Sequence, residues 1–246
     1  MSNHENKVAV VTGASRGIGA AIAERLAREG FKVIINYSAA AAPAEELARK
    51  IERNGGKALT VKADVSDAEA VRRMFDAADA AFGGVDVLVN NAGVMMLSAI
   101  ADADDASFDR QVNVNLRGTF NTLREAGKRL RDGGRIINLS TSVVGLKLET
   151  YGVYAATKAA VEMLTAIMAK EMRGRNVTVN GVAPGPTATD LFLNGKSEEL
   201  IARMAKMNPL ERLATPEDIA ASVSFLVGPD GAWINGQVIR ANGGMV

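Results

Sequence analysis

Short apolar runs alternate with longer amphipathic stretches along the whole chain. Seven runs have this character: Val8–Val11, Lys32–Ile35, Leu59–Val61, Val85–Val89, Arg135–Leu139, Val177–Val179 and Val238–Ile239. Each run is continuous and does not alternate with polar residues, which is typical of strands buried on both faces. The pattern therefore predicts strands that lie inside a layered sheet.

The stretches between these runs predict helices. Ile18, Ile22 and Leu26 recur at helical spacing after the first run. Ser66–Glu69 has the composition of a capping box, and Thr215–Asp218 places a cap, a proline and acids at a helix start. A regular alternation of strand and helix predicts an α/β fold, with a doubly wound parallel sheet of about seven strands and helices on both faces.

One domain covering residues 1–246 is the simplest organisation, because no repeat and no linker divides the chain. Prolines and Gly195 interrupt the alternation between residues 185 and 215. The apolar positions of this insertion are split by Asn194–Lys196. Long insertions after a strand are typical of lids, so residues 187–213 are a predicted substrate flap.

Composition excludes several classes of protein. The formal charge of +1 provides no general attraction for nucleic acid or an anionic membrane. No run of about 18 apolar residues predicts a membrane span, and the first residues lack the apolar centre of a secretory signal. We expect a cytoplasmic protein. With no cysteine and His4 as the single histidine, disulfides, metal sites and a Ser-His-Asp triad are not expected.

A glycine-rich segment, Thr12–Gly19, follows the first predicted strand directly. Glycines there let the backbone turn sharply and approach a pyrophosphate at the N-terminus of the next helix. The spacing Gly-x-x-x-Gly-x-Gly is a variant of the dinucleotide fingerprint. Because it lies between a predicted strand and a predicted helix, the segment indicates nucleotide binding.

Tyr154 and Lys158 are spaced so that they share one helix face. An ammonium near a phenol lowers a pKa that starts near 10, so such a tyrosine can exchange a proton with an alcohol or ketone. Taken alone, the pair is more typical of a packed tyrosine beside a surface lysine. Together with the glycine turn and Ser142, it indicates a catalytic pair.

These motifs, in this order, resemble those of the short-chain dehydrogenase/reductase family. The matching segments are Thr12–Gly19, Asn90–Gly93, Asn113–Gly118, Ser142, Tyr154–Lys158, Pro184–Gly185 and Gly243–Gly244. The resemblance covers residues 7–244 and is nearest to the 3-oxoacyl-[acyl-carrier-protein] reductase type. It implies a Rossmann-type fold and hydride transfer between a nicotinamide cofactor and a carbonyl or alcohol.

The resemblance also implies catalytic roles. Tyr154 would be the general acid in reduction and the general base in oxidation. Lys158 would hold the nicotinamide ribose and lower the tyrosine pKa. Ser142 would hydrogen-bond the substrate oxygen, and Asn115 would hold a water that links Lys158 to solvent.

Two of these assignments have neighbouring alternatives. Ser140 and Thr141 compete with Ser142, which is preferred because Val143–Gly145 follows it. Asn113 competes with Asn115.

The end of the second predicted strand reads Ile35-Asn36-Tyr37-Ser38, without a carboxylate for an NAD ribose. Arg16 can pair with a 2′-phosphate and Ser38 can donate to it, so the predicted cofactor is NADP(H). The cofactor contacts that the resemblance implies are Gly13, Ser15, Arg16, Gly17, Ile18, Gly19, Asn36, Tyr37, Ser38, Asp64, Val65, Asn91, Ala92, Gly93, Tyr154, Lys158, Pro184, Gly185, Thr187 and Thr189. Asp64 is also typical of an ordinary loop before a helix.

The expected substrate is a small carbonyl or alcohol compound, either free or linked to an acyl carrier. Its predicted pocket is lined by Val94–Met96, residues 143–151 and the flap. Arg129 and Arg175 resemble the basic residues that meet an acidic carrier protein, although solvated charges at helix ends look the same.

Three departures from the 3-oxoacyl reductase type leave a sugar, steroid or small ketone as alternative substrates. Asn242 stands where an aspartate is usual, Pro186 stiffens the loop after strand six, and the interval from Ser142 to Tyr154 is one residue short. A non-catalytic dinucleotide sensor of the same fold is a further alternative.

The resemblance also implies a homotetramer that associates through the Tyr154 helix and the last strand. Trp233 would lie in or beside a subunit contact, with a core position as the alternative.

Overall fold

The computed structural model describes His4 and residues 6–246. Seven strands form one sheet in the order β3-β2-β1-β4-β5-β6-β7, and every neighbouring pair is parallel. The strands are β1 (Val8–Val11), β2 (Lys32–Tyr37), β3 (Lys57–Lys62), β4 (Val85–Asn90), β5 (Leu130–Leu139), β6 (Thr178–Pro184) and β7 (Val238–Ala241).

Ten α-helices lie among the described residues. They are α1 (Gly17–Arg28), α2 (Ala42–Arg53), α3 (Ala68–Phe82), α4 (Asp105–Gln111), α5 (Gly118–Arg129), α6 (Val143–Leu146), α7 (Gly152–Glu171), α8 (Asp190–Leu193), α9 (Glu198–Ala205) and α10 (Pro216–Val227). A π-helical segment, Val112–Arg117, joins α4 to α5, and 3₁₀ turns occupy Ile100–Asp102 and Pro229–Gly231.

Two apolar cores cover the two faces of the sheet. In β1, Ala9 and Val11 belong to the core shared with α1, α2 and α10, while Val8 and Val10 belong to the core shared with α3, α5 and α7. Both sets are fully buried. Side chains alternate between faces along a strand, so burial on both faces accounts for the unbroken apolar runs.

The predicted Rossmann-type fold is confirmed, and β6 shows why one strand was predicted too short. It continues beyond Val179 through Asn180 and Gly181. The Asn180 amide donates to Ile234 O and its oxygen accepts from Gln237 N. A polar residue satisfied in this way can sit inside a sheet, although it ends an apolar run in the sequence.

The two predicted caps differ in outcome. Thr215 and Asp218 form a reciprocal capping box at the start of α10. At α3 the prediction was wrong by one residue, because Asp67 is the cap and accepts from Glu69 N. Ser66 instead donates to the Asp64 carboxylate through its amide and its hydroxyl, which removes it from the capping position.

The chain reverses its winding between β1 and β4, the neighbours at the centre of the sheet. A crevice opens beyond the carboxyl ends of strands at such a point, and ligands bind there in folds of this kind. The insertion after β6 folds as α8 and α9, separated at residues 194–197 as predicted. Its two ends pair through Ala188 N to Ala214 O and Ala214 N to Pro186 O.

The core position considered for Trp233 is wrong, since this side chain is 98% exposed. In the part of the chain that the structure describes, no helix combines the length and apolarity needed to cross a membrane. Nor do three or more acidic or histidine side chains gather there as metal ligands.

Candidate active site

The glycine turn after β1 is tied to the loop after β4. Thr12 Oγ1 accepts from Asn91 N and Ala92 N, each at 3.0 Å. In return, the Asn91 side-chain amide donates to Thr12 O at 2.9 Å and to Gly13 O at 3.0 Å. The two loops that flank the central crevice are therefore held together as one unit.

Three glycines of the turn lie so close to neighbouring segments that the side chain of any other residue would contact them. A Cβ on Gly13 would lie 2.8 Å from Ala92 Cα, and one on Gly19 would lie 2.5 Å from Gly13 O. Gly13 and Gly17 also have positive φ values of 60° and 56°. Arg16 precedes α1 without a side-chain cap, and the first turn of α1 carries no acid. Backbone amides without internal partners at a helix start suit a pyrophosphate, so the turn fits a dinucleotide.

Arg16 and Ser38 are exposed at the edge of this turn, and Tyr37 is half-buried beside them. Asn36 is placed differently from the sequence expectation of a direct cofactor contact. Its side chain is only 2% exposed, accepts from Gly13 N and donates to Val61 O and Ala63 O. An amide can bond three backbone groups in this way, so Asn36 shapes the glycine turn from behind.

Asp64 and Val65, expected near the adenine, separate in the structure. Asp64 is exposed and accepts from both polar groups of Ser66. The Val65 side chain is buried, and a Cβ on Gly118 would come within 2.5 Å of it. Only the backbone of Val65 is thus suited to face a ligand.

Tyr154 and Lys158 lie on α7, one turn apart, at the inner wall of the crevice. The Lys158 ammonium donates to Leu139 O at 2.7 Å and lies 6.0 Å from the centre of the Tyr154 ring. Burial lowers the pKa of Lys158 to about 8.

The expected lowering of the Tyr154 pKa by Lys158 does not occur in this structure. Burial is the largest effect and raises the pKa of Tyr154 to about 12, even though part of the side chain is accessible from the crevice. The Thr141 hydroxyl, which lines the same cleft, acts in the opposite direction. Loss of hydration on burial disfavours the charged phenolate, so the phenol is protonated at neutral pH.

Asn115 lies in the π-helical segment and is fully buried. Its side chain pairs with both backbone groups of Val94 and donates to Thr157 Oγ1. A Cβ on Gly93 would lie 3.3 Å from Asn115 Oδ1 and 3.5 Å from Lys158 Nζ. π-Helical segments are frequent at functional sites. Asn115, and not the half-buried Asn113, holds the loop after β4 against the Tyr154 helix.

Three hydroxyl residues follow β5, and the structure separates them. Ser140 donates to the Glu162 carboxylate at 2.6 Å. Ser142 donates to Ala183 O at 3.2 Å and accepts from the Asn242 amide at 3.0 Å. Thr141 Oγ1 accepts from Val143 N at 3.3 Å. All three line the cleft that contains Tyr154, and Ser142, preferred from the sequence, is the one bonded to both β6 and Asn242.

A cleft with an internal volume of about 150 Å³ opens over Tyr154. Nine of the expected cofactor contacts line it: Ile18, Asn91, Gly93, Tyr154, Lys158, Pro184, Gly185, Thr187 and Thr189. Ser15 is half-buried within the turn itself. A Cβ on Gly17 would touch Thr189 at 3.4 Å, so the start of the flap lies against the glycine turn.

The wall away from the glycine turn is mostly apolar. Its apolar side chains are Met95, Val143, Leu146, Leu148, Tyr151, Leu191, Phe192, Met204, Met207 and Met245. Val94 and Met96, expected with Met95, are not part of this lining. Met245 was not predicted, although its place after the last parallel strand indicates the same edge of the sheet.

The arrangement combines a glycine cradle for a dinucleotide, a protonated phenol, a buried ammonium and an apolar chamber. A phenol with a proton to give, next to a hydroxyl donor, is suited to a carbonyl oxygen that becomes an alcohol.

Comparison with known proteins agrees with this geometry. The family described as "Enoyl-(Acyl carrier protein) reductase" matches residues 13–246. A short-chain type dehydrogenase/reductase of Picea abies is 48% identical over 98% of this chain and 92% of its own length. An NADPH-dependent aldehyde reductase-like chloroplastic protein of Arabidopsis thaliana is 44% identical over 98% and 94%. The structure of the angucycline C-6 ketoreductase LanV with bound NADP superposes with a TM-score of 0.94, at 36% identity, over 99% and 97% of the two chains.

Proposed function

The chain belongs to the short-chain dehydrogenase/reductase family, and from that premise we propose that it reduces a small apolar ketone or aldehyde to the alcohol. It is an oxidoreductase that uses NADP(H). The observation that carries the proposal is the placement of the Tyr154 phenol, with the neighbouring Thr141 hydroxyl, at an apolar cleft that adjoins the glycine turn.

The residues of the turn fit the cofactor. Gly13 and Gly19 let the turn pack closely on itself and on the loop after β4, and the uncapped amides at the start of α1 suit a pyrophosphate. Arg16 is exposed and forms no ion pair within the described chain, so it is available for a 2′-phosphate together with Ser38. Lys158 would hold the nicotinamide ribose. NADPH supplies the hydride when it is bound.

Tyr154 gives its proton to the carbonyl oxygen. Burial raises the pKa of this phenol to about 12, so the acid form that reduction requires is the form present near neutral pH. Lys158, beneath the ring, is the group through which the proton is replaced. Asn115 fixes the backbone around Lys158, and we assign it the water position that connects Lys158 to solvent.

The cleft favours an apolar substrate. Its wall carries four apolar flap residues, Leu191, Phe192, Met204 and Met207, and carries Met245 from the chain end. Unbranched methionines adapt to many shapes, so the geometry suits a class of substrates more than one compound.

The two arginines considered for an acyl carrier protein are already paired. Arg129 binds Asp76 and Asp79, and Arg175 binds Asp132. They also adjoin the amino ends of β5 and β6, the edge of the sheet opposite the cleft. These contacts favour a free carbonyl compound over a carrier-bound one, and a 3-oxoacyl thioester remains the alternative to be tested.

The test follows NADPH oxidation by absorbance against a panel of aldehydes, cyclic and aromatic ketones, a sugar, a steroid ketone and an acetoacetyl thioester. We expect turnover with apolar aldehydes or ketones and little with the sugar. Absence of NADPH oxidation with every member would refute the proposal and favour a dinucleotide sensor.

Tyr154→Phe removes the proton donor but keeps the ring, so turnover should fall on the order of 10²- to 10⁴-fold while NADPH affinity changes little. Tyr151→Phe is the matched control, because this phenol lines the same cleft, 6.5 Å between ring centres from Tyr154. Its loss of turnover should be much smaller. Near-normal turnover in Tyr154→Phe would contradict the assigned mechanism.

A further inference from the structure

Phe192, on the flap, is one of three aromatic side chains in the lining of the cleft. The other two are Tyr151 and Tyr154, at the start of α7. An aromatic ring offers a planar apolar surface on which a second planar group can stack. The cleft therefore has planar surfaces on the flap as well as beside the reacting phenol, and Phe192 is the one that the flap provides.

The backbone of Phe192 is held at both of its polar groups. Its N–H donates to Thr189 O at 2.9 Å, and its carbonyl oxygen accepts from the Lys196 ammonium. Because α8 has only four residues, it has few internal hydrogen bonds. A lysine near the C-terminus of a helix can donate to the last carbonyls. Lys196 thus fixes Phe192 in place on a short helix.

The same ammonium lies 4.6 Å from the centre of the Phe192 ring, within the range of cation–π attraction. Lys196 is half-buried and is not part of the cleft lining, whereas Phe192 is. The positive charge is therefore outside the cleft, behind the ring. A cation draws the π electrons of a ring toward itself, so the side turned to the cleft carries less negative charge. Such a surface favours stacking with an electron-rich aromatic group.

We propose that Phe192, held and polarised by Lys196, selects aromatic carbonyl compounds as substrates of this cleft. The inference rests on the proposed reductase activity and narrows its substrate class. The aromatic ring of the substrate stacks on Phe192 while its carbonyl oxygen meets the Tyr154 phenol. Lys196 is a positioning residue, because it acts through Phe192 and does not touch the substrate.

The test uses pairs of substrates with the same carbon skeleton, one aromatic and one saturated. Benzaldehyde is paired with cyclohexanecarbaldehyde, and acetophenone with cyclohexyl methyl ketone. Each kcat/KM is measured with NADPH, and the aromatic-to-saturated ratio of a variant is compared with that of the wild type. General damage to the flap would lower both members of a pair alike, whereas loss of stacking lowers the aromatic member alone.

Phe192→Leu keeps an apolar side chain without the ring, and it should lower the ratio about five- to tenfold. Lys196→Met keeps the length of the side chain without the charge, and it should lower the ratio about three- to fivefold. Lys196→Arg keeps a cation and should retain most of the wild-type ratio. Lys206→Met, at an exposed lysine of the same flap, is the matched control and should leave the ratio unchanged.

A ratio in Phe192→Leu within about 1.5-fold of the wild-type ratio would overturn the selection by Phe192. The same result in Lys196→Met, with a lowered ratio in Phe192→Leu, would remove Lys196 from the proposal. A wild type that reduces other carbonyl compounds but no aromatic one also overturns the inference, while the proposed function stands. A wild type that oxidises no NADPH with any carbonyl compound refutes the proposed function itself.

Discussion

Lys158 holds its charge at a cost in stability, and that cost can be measured without any substrate. The side chain is 5% exposed, and its pKa falls from 10.5 to about 8 through burial. One pKa unit is worth about 1.4 kcal/mol, so keeping the ammonium charged costs the folded state about 3 kcal/mol at neutral pH. Methionine has a similar length and no charge. Lys158→Met removes this cost but leaves Leu139 O without its donor, a loss of about 1–3 kcal/mol.

The net effect at pH 7 is therefore small, between about 0 and 2 kcal/mol in favour of the variant, but its pH dependence is large. Since the pKa of Lys158 is lower in the folded chain than in the unfolded chain, the unfolded chain binds more protons between pH 8 and 10.5. The free energy of unfolding of the wild type therefore rises with pH in that window. The variant has no such group. Its stability relative to the wild type should fall by about 2 kcal/mol from pH 7 to pH 10.

Urea unfolding of both proteins at pH 7, 8, 9 and 10 measures this difference at equal protein concentration. Lys170→Met, at an exposed lysine of the same helix, is the control, and the pH trend should belong to Lys158→Met alone. A constant difference between wild type and Lys158→Met over the whole range would show that Lys158 is not held charged against its burial, and the reasoning would be wrong.

Three further predictions concern the cofactor, the flap and assembly. Arg16→Ala should weaken NADPH binding at least about tenfold, or about 1.4 kcal/mol, with little effect on NADH binding. Ser38→Asp should move the cofactor preference toward NADH. Fluorescence titration measures both changes, and equal affinities of the wild type for the two cofactors would contradict the role of Arg16. Hydrogen exchange should show new protection in residues 187–207 when NADPH is present, because the start of the flap touches Gly17; equal protection would make the flap a rigid insertion. Sedimentation should show a tetramer at micromolar concentration, in which Trp233 is covered, and a 25.8 kDa monomer would refute it.

The parts of the fold that the sequence predicts well are those decided by neighbours along the chain. Residues that alternate between two buried faces, as in β1, make an apolar run that is visible without any structure. Gly13 and Gly19 lie in one short turn, and Tyr154 and Lys158 lie one turn apart on one helix. Each of these features depends on local spacing, which the sequence contains.

The features that the sequence predicts poorly depend on partners far along the chain. Asn36 was expected to face the cofactor, but carbonyls of the β3 segment occupy its amide. Lys158 was expected to lower the pKa of Tyr154, but the carbonyl of Leu139 holds its ammonium while burial dominates at the phenol. Hydrogen-bond partners of this kind become visible only when the strands are placed side by side.

One departure recognised in the sequence, Asn242, has a structural explanation. An aspartate at position 242 would accept a proton from Ser142, whereas the amide of Asn242 donates and turns the Ser142 proton toward Ala183 O. The oxygen of Asn242 accepts from Gly244 N and Met245 N. This residue therefore links Ser142 to the end of the chain, where Met245 forms part of the cleft wall.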